Sequence, residues 1–349
     1  MVHEEIATHG HEQVTHFADE ETGLRAIVAV HDTTLGPSLG GTRMLPYESD
    51  GAALRDALRL SRAMTYKAAA ADLELGGGKA VIVGDPKAKT EEMMRAYGRA
   101  VQRLRGRYIT SVDMNTDAAD MDAVATETEY VTALSDGLGD PSPVTAQGAF
   151  AGIEACVEAV YGTTTLGGRS VAVQGLGKVG RRLTERLVDH GAEVTVTDVD
   201  ESTARSVADE YGVSTVPPED IYDVSCDIFA PCAIGGVIND DTIPRLDCDV
   251  VAGAANNVLE SREHARALHD GGVLYAPDYV LNAGGLITVA TEYEGGTMGN
   301  ALAAAEAIGD RVRTLVDRAD EQDRPVVEVA DEYAEERIET AGAEAELSA

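Results

Sequence analysis

The chain has 349 residues, with 61 acidic side chains against 28 basic ones and a formal net charge of -33. That length exceeds what one small core organises and predicts two domains, while a hydrophobic content of 44% is ordinary for a folded protein. The charge excludes nucleic acid and anionic membranes as default partners, because both are recognised through basic surfaces that this chain lacks.

The first ten residues, MVHEEIATHG, carry no basic-then-apolar leader, and no apolar run reaches the length of a membrane span, so a cytoplasmic protein is expected. Four of the eight histidines, His3, His9, His11 and His16, fall in the first sixteen residues and read as a polar segment rather than a site. Residues 23–30 (GLRAIVAV) are strand-like. Over 52–71, Leu54, Ala57, Leu58, Met64 and Ala68 follow helical spacing. Three glycines, Gly76 to Gly78, read as a turn ahead of a strand over 79–83, which Gly84-Asp85-Pro86 stops. A helix over about 90–104 and a strand over about 108–111 follow. Asp140-Pro141-Ser142-Pro143 marks a domain boundary.

Beyond residue 145 the pattern becomes a regular β/α alternation. A helix to about 161 precedes a strand at 170–174, a helix to about 190, a strand at 193–197 and a helix to about 211. Apolar runs at 227–230, 249–252 and 273–276 read as buried parallel strands. The fold class is therefore α/β: an N-terminal α/β domain over 1–140, and a doubly wound Rossmann domain over 141–319. Helices from about 320 to 349 are expected to rejoin the first domain.

The acidic residues are spread as 9, 6, 8, 7, 11, 6 and 14 over successive blocks of about fifty, so they coat a folded surface rather than form a tail. The basic residues are 23 Arg and only 5 Lys: Lys67, Lys79, Lys87, Lys89 and Lys178. Few lysines, no Trp and diffuse acid predict a halophilic surface, whose self-repulsion is screened when molar salt shortens the Debye length to about 3 Å. Where Arg has displaced Lys, a retained Lys suggests a need for an ammonium that can lose its proton. Cys156, Cys226, Cys232 and Cys248 form no CxxC pair and read as free buried thiols. No Cys or His spacing suits a metal, and none is expected.

Gly175-Leu176-Gly177-Lys178-Val179-Gly180 follows the strand SVAVQ and opens a helix, the context in which G-x-G-x-x-G binds a dinucleotide. The first glycine permits the tight turn, the second lets backbone N–H groups approach a pyrophosphate, and the third lets helix and strand pack closely. Asp198 ends the next strand, where an acid accepts from a ribose 2′-OH and repels a 2′-phosphate, so NAD is the expected cofactor. Lys178 faces solvent or helps neutralise phosphate.

Lys67 lies at a helix end, and Lys79 enters an apolar strand, which calls for a partner or ligand. These residues sit in stretches that resemble the glutamate/leucine/phenylalanine/valine dehydrogenase family, in particular its leucine and phenylalanine branch. The stretches are 36–44 (GPSLGGTRM), 64–68 (MTYKA), 76–86 (GGGKAVIVGDP), 140–146 (DPSPVTA), 173–180 (VQGLGKVG), 231–238 (PCAIGGVI), 252–259 (AGAANNVL) and 275–286 (YAPDYVLNAGGL). They keep the family's order and span most of the chain. The resemblance implies reversible oxidative deamination, in which an L-amino acid, NAD and water give a 2-oxo acid, ammonium and NADH. It also implies a homo-oligomer. By the same resemblance Lys67 anchors the substrate carboxylate, Lys79 is the catalytic lysine, and Asp113, in YITSVDMNT, exchanges protons with the amine. Gly40 and Gly41 leave room for the substrate backbone, and Thr145, Asn257 and Asn282 hold the nicotinamide end or the substrate.

The chemistry suits these residue types. Oxidation at Cα needs a neutral amine and an activated water, hence a base working near pH 7–8, about three units below a free lysine. Burial, and Lys67 as a nearby cation, are expected to push Lys79 that way. In the glutamate branch a lysine precedes the first GG pair; here Leu39 does, and Val289 replaces a serine. Leu39, Thr132, Leu286 and Val289 therefore predict an apolar substrate: leucine, isoleucine, valine or phenylalanine. Ser111, two residues before Asp113, departs from the small apolar residue expected of leucine enzymes. The alternatives are a glutamate dehydrogenase of the same family and a non-catalytic NAD-binding regulator.

Overall fold

The structure, a computed structural model, describes Ile6 and residues 10–348; His3 and His9 lie outside the described residues. Residue contacts divide the chain into two compact units. The first comprises Met1–Gly139, Thr288–Met298 and Ala334–Ala349, and the second comprises Asp140–Ile287 and Gly299–Tyr333.

The first unit is built on a five-stranded sheet of β1 (Gln13–Asp19), β2 (Leu24–Asp32), β3 (Ser38–Leu45), β4 (Gly76–Val83) and β5 (Tyr108–Val112), in the order β1-β2-β4-β3-β5. β1 and β4 run antiparallel to β2, whereas β3 runs parallel to both β4 and β5. Both faces of the sheet are covered, which is why β2 and β4 are apolar at almost every position. On one face, Ala26, Val28, Ala80, Ile82 and Met44 pack with Met94 and Tyr97 of α2 (Glu91–Gln102) and Met121 and Val124 of α3 (Ala118–Ala125). On the other, Ile27, Ala29 and Val81 meet Ala53, Leu54, Ala57 and Leu58 of α1 (Asp50–Ala70), a helix capped by Ser49.

Three sequence expectations change here. Residues 13–19 are a strand paired with β2 rather than a polar lead-in. His11 is buried, its Nε2 within 2.8 Å of Ser61 Oγ and 3.1 Å of Leu58 O, both on α1. Gly76 to Gly78 are not a turn but the first three residues of β4. A Cβ would lie 2.0 Å from Asp32 O at Gly76, 2.1 Å from Thr65 Oγ1 at Gly77, and 2.6 Å from the Tyr108 ring at Gly78. Glycine is there to let strand, helix and ring approach one another, not to bend the chain.

The second unit carries six parallel strands: β6 (Ser170–Gln174), β7 (Glu193–Thr197), β8 (Ser214–Thr215), β9 (Ile228–Pro231), β10 (Val250–Val251) and β11 (Leu274–Tyr275). Their order, β11-β10-β9-β6-β7-β8, reverses direction beside β6 and is the doubly wound Rossmann order. Among its helices are α4 (Ser142–Tyr161), α5 (Lys178–Asp189), α6 (Glu201–Tyr211), α7 (Glu263–Asp270), α8 (Asp278–Leu281) and α10 (Met298–Gln322); α9 (Gly284–Tyr293) begins in this unit and ends in the first, and α11 (Val326–Ser348) closes the described chain.

The division between units begins at Asp140, inside the Pro-rich segment. The return to the first unit differs from the sequence expectation. It uses 288–298 and the chain from 334, whereas α10 belongs mostly to the second unit, because Ile308, Gly309 and Val312 pack on Gly148, Ala151 and Gly152 of α4. The four cysteines are free; Cys156 is buried and the other three are half-buried, with burial pushing every thiol up, to about 12 for Cys156. Among the described residues no helix is long and apolar enough to cross a membrane.

Candidate active site

Side chains alternate along a strand, so those of Gly77, Lys79 and Val81 of β4 share the face that Val81 packs against α1. Leu39, Gly41 and Arg43 of β3 and Ile109 and Ser111 of β5 share it too, since Met44, Thr42, Tyr108 and Thr110 take the opposite one. The register sets Gly41 beside Ser111 and brings the end of β5 next to the middle of β3. Lys79 and Asp113 thereby meet: Lys79 Nζ lies 2.9 Å from Asp113 Oδ2, with the lysine side chain only 7% exposed.

That oxygen has a second cationic partner. Arg43 Nε donates to Asp113 Oδ2 at 2.8 Å, and its Nη1 donates to Asp56 Oδ2 of α1 at 3.1 Å. Tyr47 Oη donates to the same Asp56 oxygen at 2.7 Å, and Arg59 Nη2 donates to Oδ1 at 3.0 Å. The Asp113 backbone N–H is taken by Thr116 Oγ1, whose hydroxyl bonds back to Thr42 O. A chain of short polar contacts thus fixes Asp113 from both sides.

Electrostatics follow from this packing. Burial lowers the pKa of Lys79, and Arg43 adds to it, together outweighing Asp113. Burial works against Asp113 ionising, yet Lys79 and Arg43 together hold its carboxyl below the usual range. Asp56 is also held low: burial opposes its ionisation, but the hydrogen bonds from Tyr47 and Arg59 and the charge of Arg43 prevail. Arg43 is thus a cation that pushes Lys79 down, a role the sequence suggested for Lys67. Arg43, Asp56 and Tyr47 were missed. The available signal was that Arg43 lies two residues after Gly41, on the same strand face.

The other positions fall as follows. Lys67 lies in the last turn of α1, half-buried. A Cβ at Gly40 would strike Gly78 O at 1.7 Å, and one at Gly41 would come within 2.8 Å of Asp113 Cβ. A side chain at 41 would thus displace the carboxylate. Leu39 is buried at 1% exposure. Thr132 is buried as well, and its Oγ1 donates to Val289 O (3.0 Å) and Glu292 Oε1 (3.2 Å) on α9. Glu292 also accepts from the backbone N–H of Leu134 and of Leu138, at 3.0 and 2.8 Å, and so ties residues 132–138 to that helix. Leu286 is three residues before Val289 on the same helix.

In the second unit, the Gly175–Gly180 loop leaves β6 at the point where the strand order reverses, the usual ligand crevice of such sheets. Gly175 has φ +95°, and a Cβ at Gly180 would sit 2.0 Å from Gly175 O. A Cβ at Gly177 would meet nothing within 4 Å, and no side chain caps α5 there, although Ser49, Thr90, Asp117 and Asp200 cap helices elsewhere. An open loop on a helix N-terminus that retains its own N–H groups fits a pyrophosphate. Leu176 is buried, Lys178 exposed and Val179 half-buried. Asp198 Oδ2 accepts from Leu176 N–H at 2.7 Å, so this carboxylate also braces the loop. It borders a depression lined by Val199, Glu201, Arg205 and Pro217, with room for an adenosine-sized group.

Thr145 opens α4, its Oγ1 donating to Pro141 O at 3.2 Å, and a Cβ at Gly284 would lie 2.4 Å from its Cα. Asn282 Nδ2 donates to Ala255 O and Asn256 Oδ1 at 3.0 and 2.8 Å. Asn257 has φ +51° and accepts Gly236 N–H at 2.8 Å. Among the described residues no group of three or more His, Cys, Asp or Glu side chains is placed to hold a metal.

Residues 11–130 match the model of the Glu/Leu/Phe/Val dehydrogenase dimerisation domain, and residues 195–347 match that of Glutamate/Leucine/Phenylalanine/Valine dehydrogenase. A leucine dehydrogenase of Bacillus subtilis is 50% identical over 333 residues, covering 94% of this chain and 92% of that one. The chain belongs to the Glu/Leu/Phe/Val dehydrogenase family. A phenylalanine dehydrogenase of Caldalkalibacillus thermarum is 47% identical, covering 94% of this chain and 91% of its own length. The solved structure of an L-tryptophan dehydrogenase from Nostoc punctiforme superposes with a TM-score of 0.90 at 44% identity, covering 98% of this chain and 99% of that one. As a member of this family the chain is an amino acid dehydrogenase, and its Rossmann unit is that of an NAD(P)-dependent oxidoreductase.

Proposed function

We propose that the protein catalyses the NAD-dependent, reversible oxidative deamination of an apolar L-amino acid to its 2-oxo acid and ammonium. The observation that carries the catalytic assignment is the buried Lys79 Nζ, 2.9 Å from Asp113 Oδ2. A lysine whose ammonium is destabilised by burial gives up its proton more readily than a free one, as a base requires, and Asp113 beside it is a carboxylate that carries the amine proton. Lys79 activates the water that attacks the imine carbon and takes its proton. Lys67 anchors the substrate carboxylate, while Gly41, on the strand face of Lys79, admits its backbone; Gly40, expected to share that role, points the other way, where a Cβ would strike Gly78 O. The bound dinucleotide supplies the acceptor for the two electrons that leave Cα.

Asp198 supports NAD over NADP, because its carboxylate faces the position of a 2′-phosphate in dinucleotide sites of this type. Gly175, Gly177 and Gly180 shape the pyrophosphate loop, with Leu176, Lys178 and Val179 beside it. Thr145, Asn257 and Asn282 hold the nicotinamide end. Leu39, Thr132, Leu286 and Val289 are assigned to the substrate side chain: three are apolar, and the Thr132 hydroxyl already donates to α9. A second substrate carboxylate would find no cation among them, at a cost of several kcal/mol. A homo-oligomer, a cytoplasmic location and a salt-adapted acidic surface complete the proposal.

The test is NADH formation across an amino acid panel in molar KCl. Turnover with leucine, isoleucine, valine or phenylalanine is expected; turnover with glutamate alone would overturn the side-chain assignment.

A further inference from the structure

Lys79 and Arg43 both bond Oδ2 of Asp113, while Oδ1 takes no hydrogen bond from another side chain among the described residues. An ion pair between a lysine and a carboxylate alone would fix the ammonium and leave the carboxylate free to rotate between its two oxygens. The second cation removes both freedoms. We propose that Arg43 is a positioning residue for the acid–base pair: it holds Oδ2 of Asp113, reserves Oδ1 for the substrate amine, and keeps Asp113 from locking Lys79 as an ammonium. This inference rests on the assignment of Lys79 and Asp113 as the acid–base pair.

The polar network around the Lys79–Asp113 pair comes from several elements, of which Asp113 and Asp56 favour the Lys79 ammonium and Arg43 disfavours it. Asp113 follows β5, Arg43 lies on β3, Asp56 and Arg59 lie on α1, and Tyr47 follows β3; Lys67 lies in the last turn of α1. Arg43 stands in the middle, bonded to Asp113 through Nε and to Asp56 through Nη1. Asp56, held by Tyr47 and Arg59, orients the guanidinium fork without touching Asp113. The positive charge of Arg43 then opposes that of Lys79, in the direction the structure gives for its proton affinity. A lysine at 43 would keep the charge but present a single ammonium where the fork makes two directed contacts.

The experiment compares pH profiles of kcat/KM for amino acid oxidation in the wild type, Arg43→Gln, Arg43→Lys and Lys79→Ala. The Arg43→Gln variant is expected to move the Lys79 limb up by about one pH unit, the size expected for removing a nearby charge. Arg43→Lys is expected to keep the limb in place while kcat falls, because charge remains and orientation does not. A limb at the wild-type pH in Arg43→Gln, or one displaced as far in Arg43→Lys as charge removal predicts, would overturn the inference. Lys79→Ala separates the two levels: if it retains turnover, the acid–base assignment fails; if it is inactive while Arg43→Gln keeps the wild-type limb, only the role of Arg43 fails.

Discussion

Lys79 Nζ lies 2.9 Å from Oδ2 of Asp113, on a sheet face roofed by α1, with the lysine buried and the carboxylate 26% exposed. Each group decides the other's charge. Removing the carboxylate leaves two cations, Lys79 and Arg43, without their shared counter-ion. Asp113→Asn is therefore expected to destabilise the protein by about 3 kcal/mol near pH 6, as for one partner lost from a buried pair. The deficit should shrink toward pH 9, because Lys79 sheds its proton more readily once Asp113 no longer holds it. Chemical denaturation at the two pH values measures this; an equal loss at both would contradict an easier release of the Lys79 proton in the variant.

The wild-type pair also predicts acid sensitivity. The carboxyl of Asp113 is held below its usual range in the fold, so its contribution to stability is complete above the unfolded value near pH 4. It is lost as pH falls through the lower folded value. Melting curves of wild type and Asp113→Asn between pH 5 and 2 should converge.

Gly77 sets how closely α1 approaches β4. A Cβ there would lie 2.2 Å from the backbone N of Thr65 and 2.1 Å from its Oγ1, and backbone cannot yield as a flexible side chain does. Gly77→Ala should cost about 3 kcal/mol. It should also raise KM for the amino acid, because Lys67 lies two residues beyond Thr65 on the same helix. Gly285→Ala, whose nearest neighbour would be Thr145 Oγ1 at 4.0 Å, is the control for a tolerated substitution.

Glu292 accepts from two backbone N–H groups and the Thr132 hydroxyl. An amide at this position can accept through one atom only. Glu292→Gln should leave one N–H unpaired, cost about 2 kcal/mol, and raise KM for the amino acid without changing that for NAD.

Much of this site was legible in the sequence, and the reasons are physical. The Gly175–Gly180 loop could be read because a strand, a glycine-spaced turn and a helix occur there in succession. Lys79 could be read because a lysine in an apolar strand is costly without a partner. Gly76 to Gly78 misled because three glycines signal a turn locally, whereas their cause is tertiary: Asp32, Thr65 and Tyr108 each occupy the space of a Cβ. His11 misled for a similar reason, its burial depending on Ser61 fifty residues away. Spacing could place Arg43 on the strand face of Gly41 but not name its partner Asp113, and it gave no sign of Glu292, since these partners lie on strands and loops brought together only by the fold.

The acidic surface carries its own expectation. If the charge of -33 is tolerated through screening, melting temperature should rise steadily as KCl is raised from 0.1 M to molar levels, and a flat dependence would remove salt adaptation from the account. The cofactor preference is checked in the same way: Asp198→Ala should weaken NAD binding, both by loss of the ribose acceptor and by release of the Leu176 N–H it holds at 2.7 Å.

The most direct measurement is turnover by Lys79→Ala with the best amino acid of the panel, alongside NAD binding by fluorescence. Loss of the base should lower kcat by about 10²–10⁴-fold while the dissociation constant for NAD stays within about twofold. Turnover within about threefold of the wild type would contradict the assignment of Lys79 as the base.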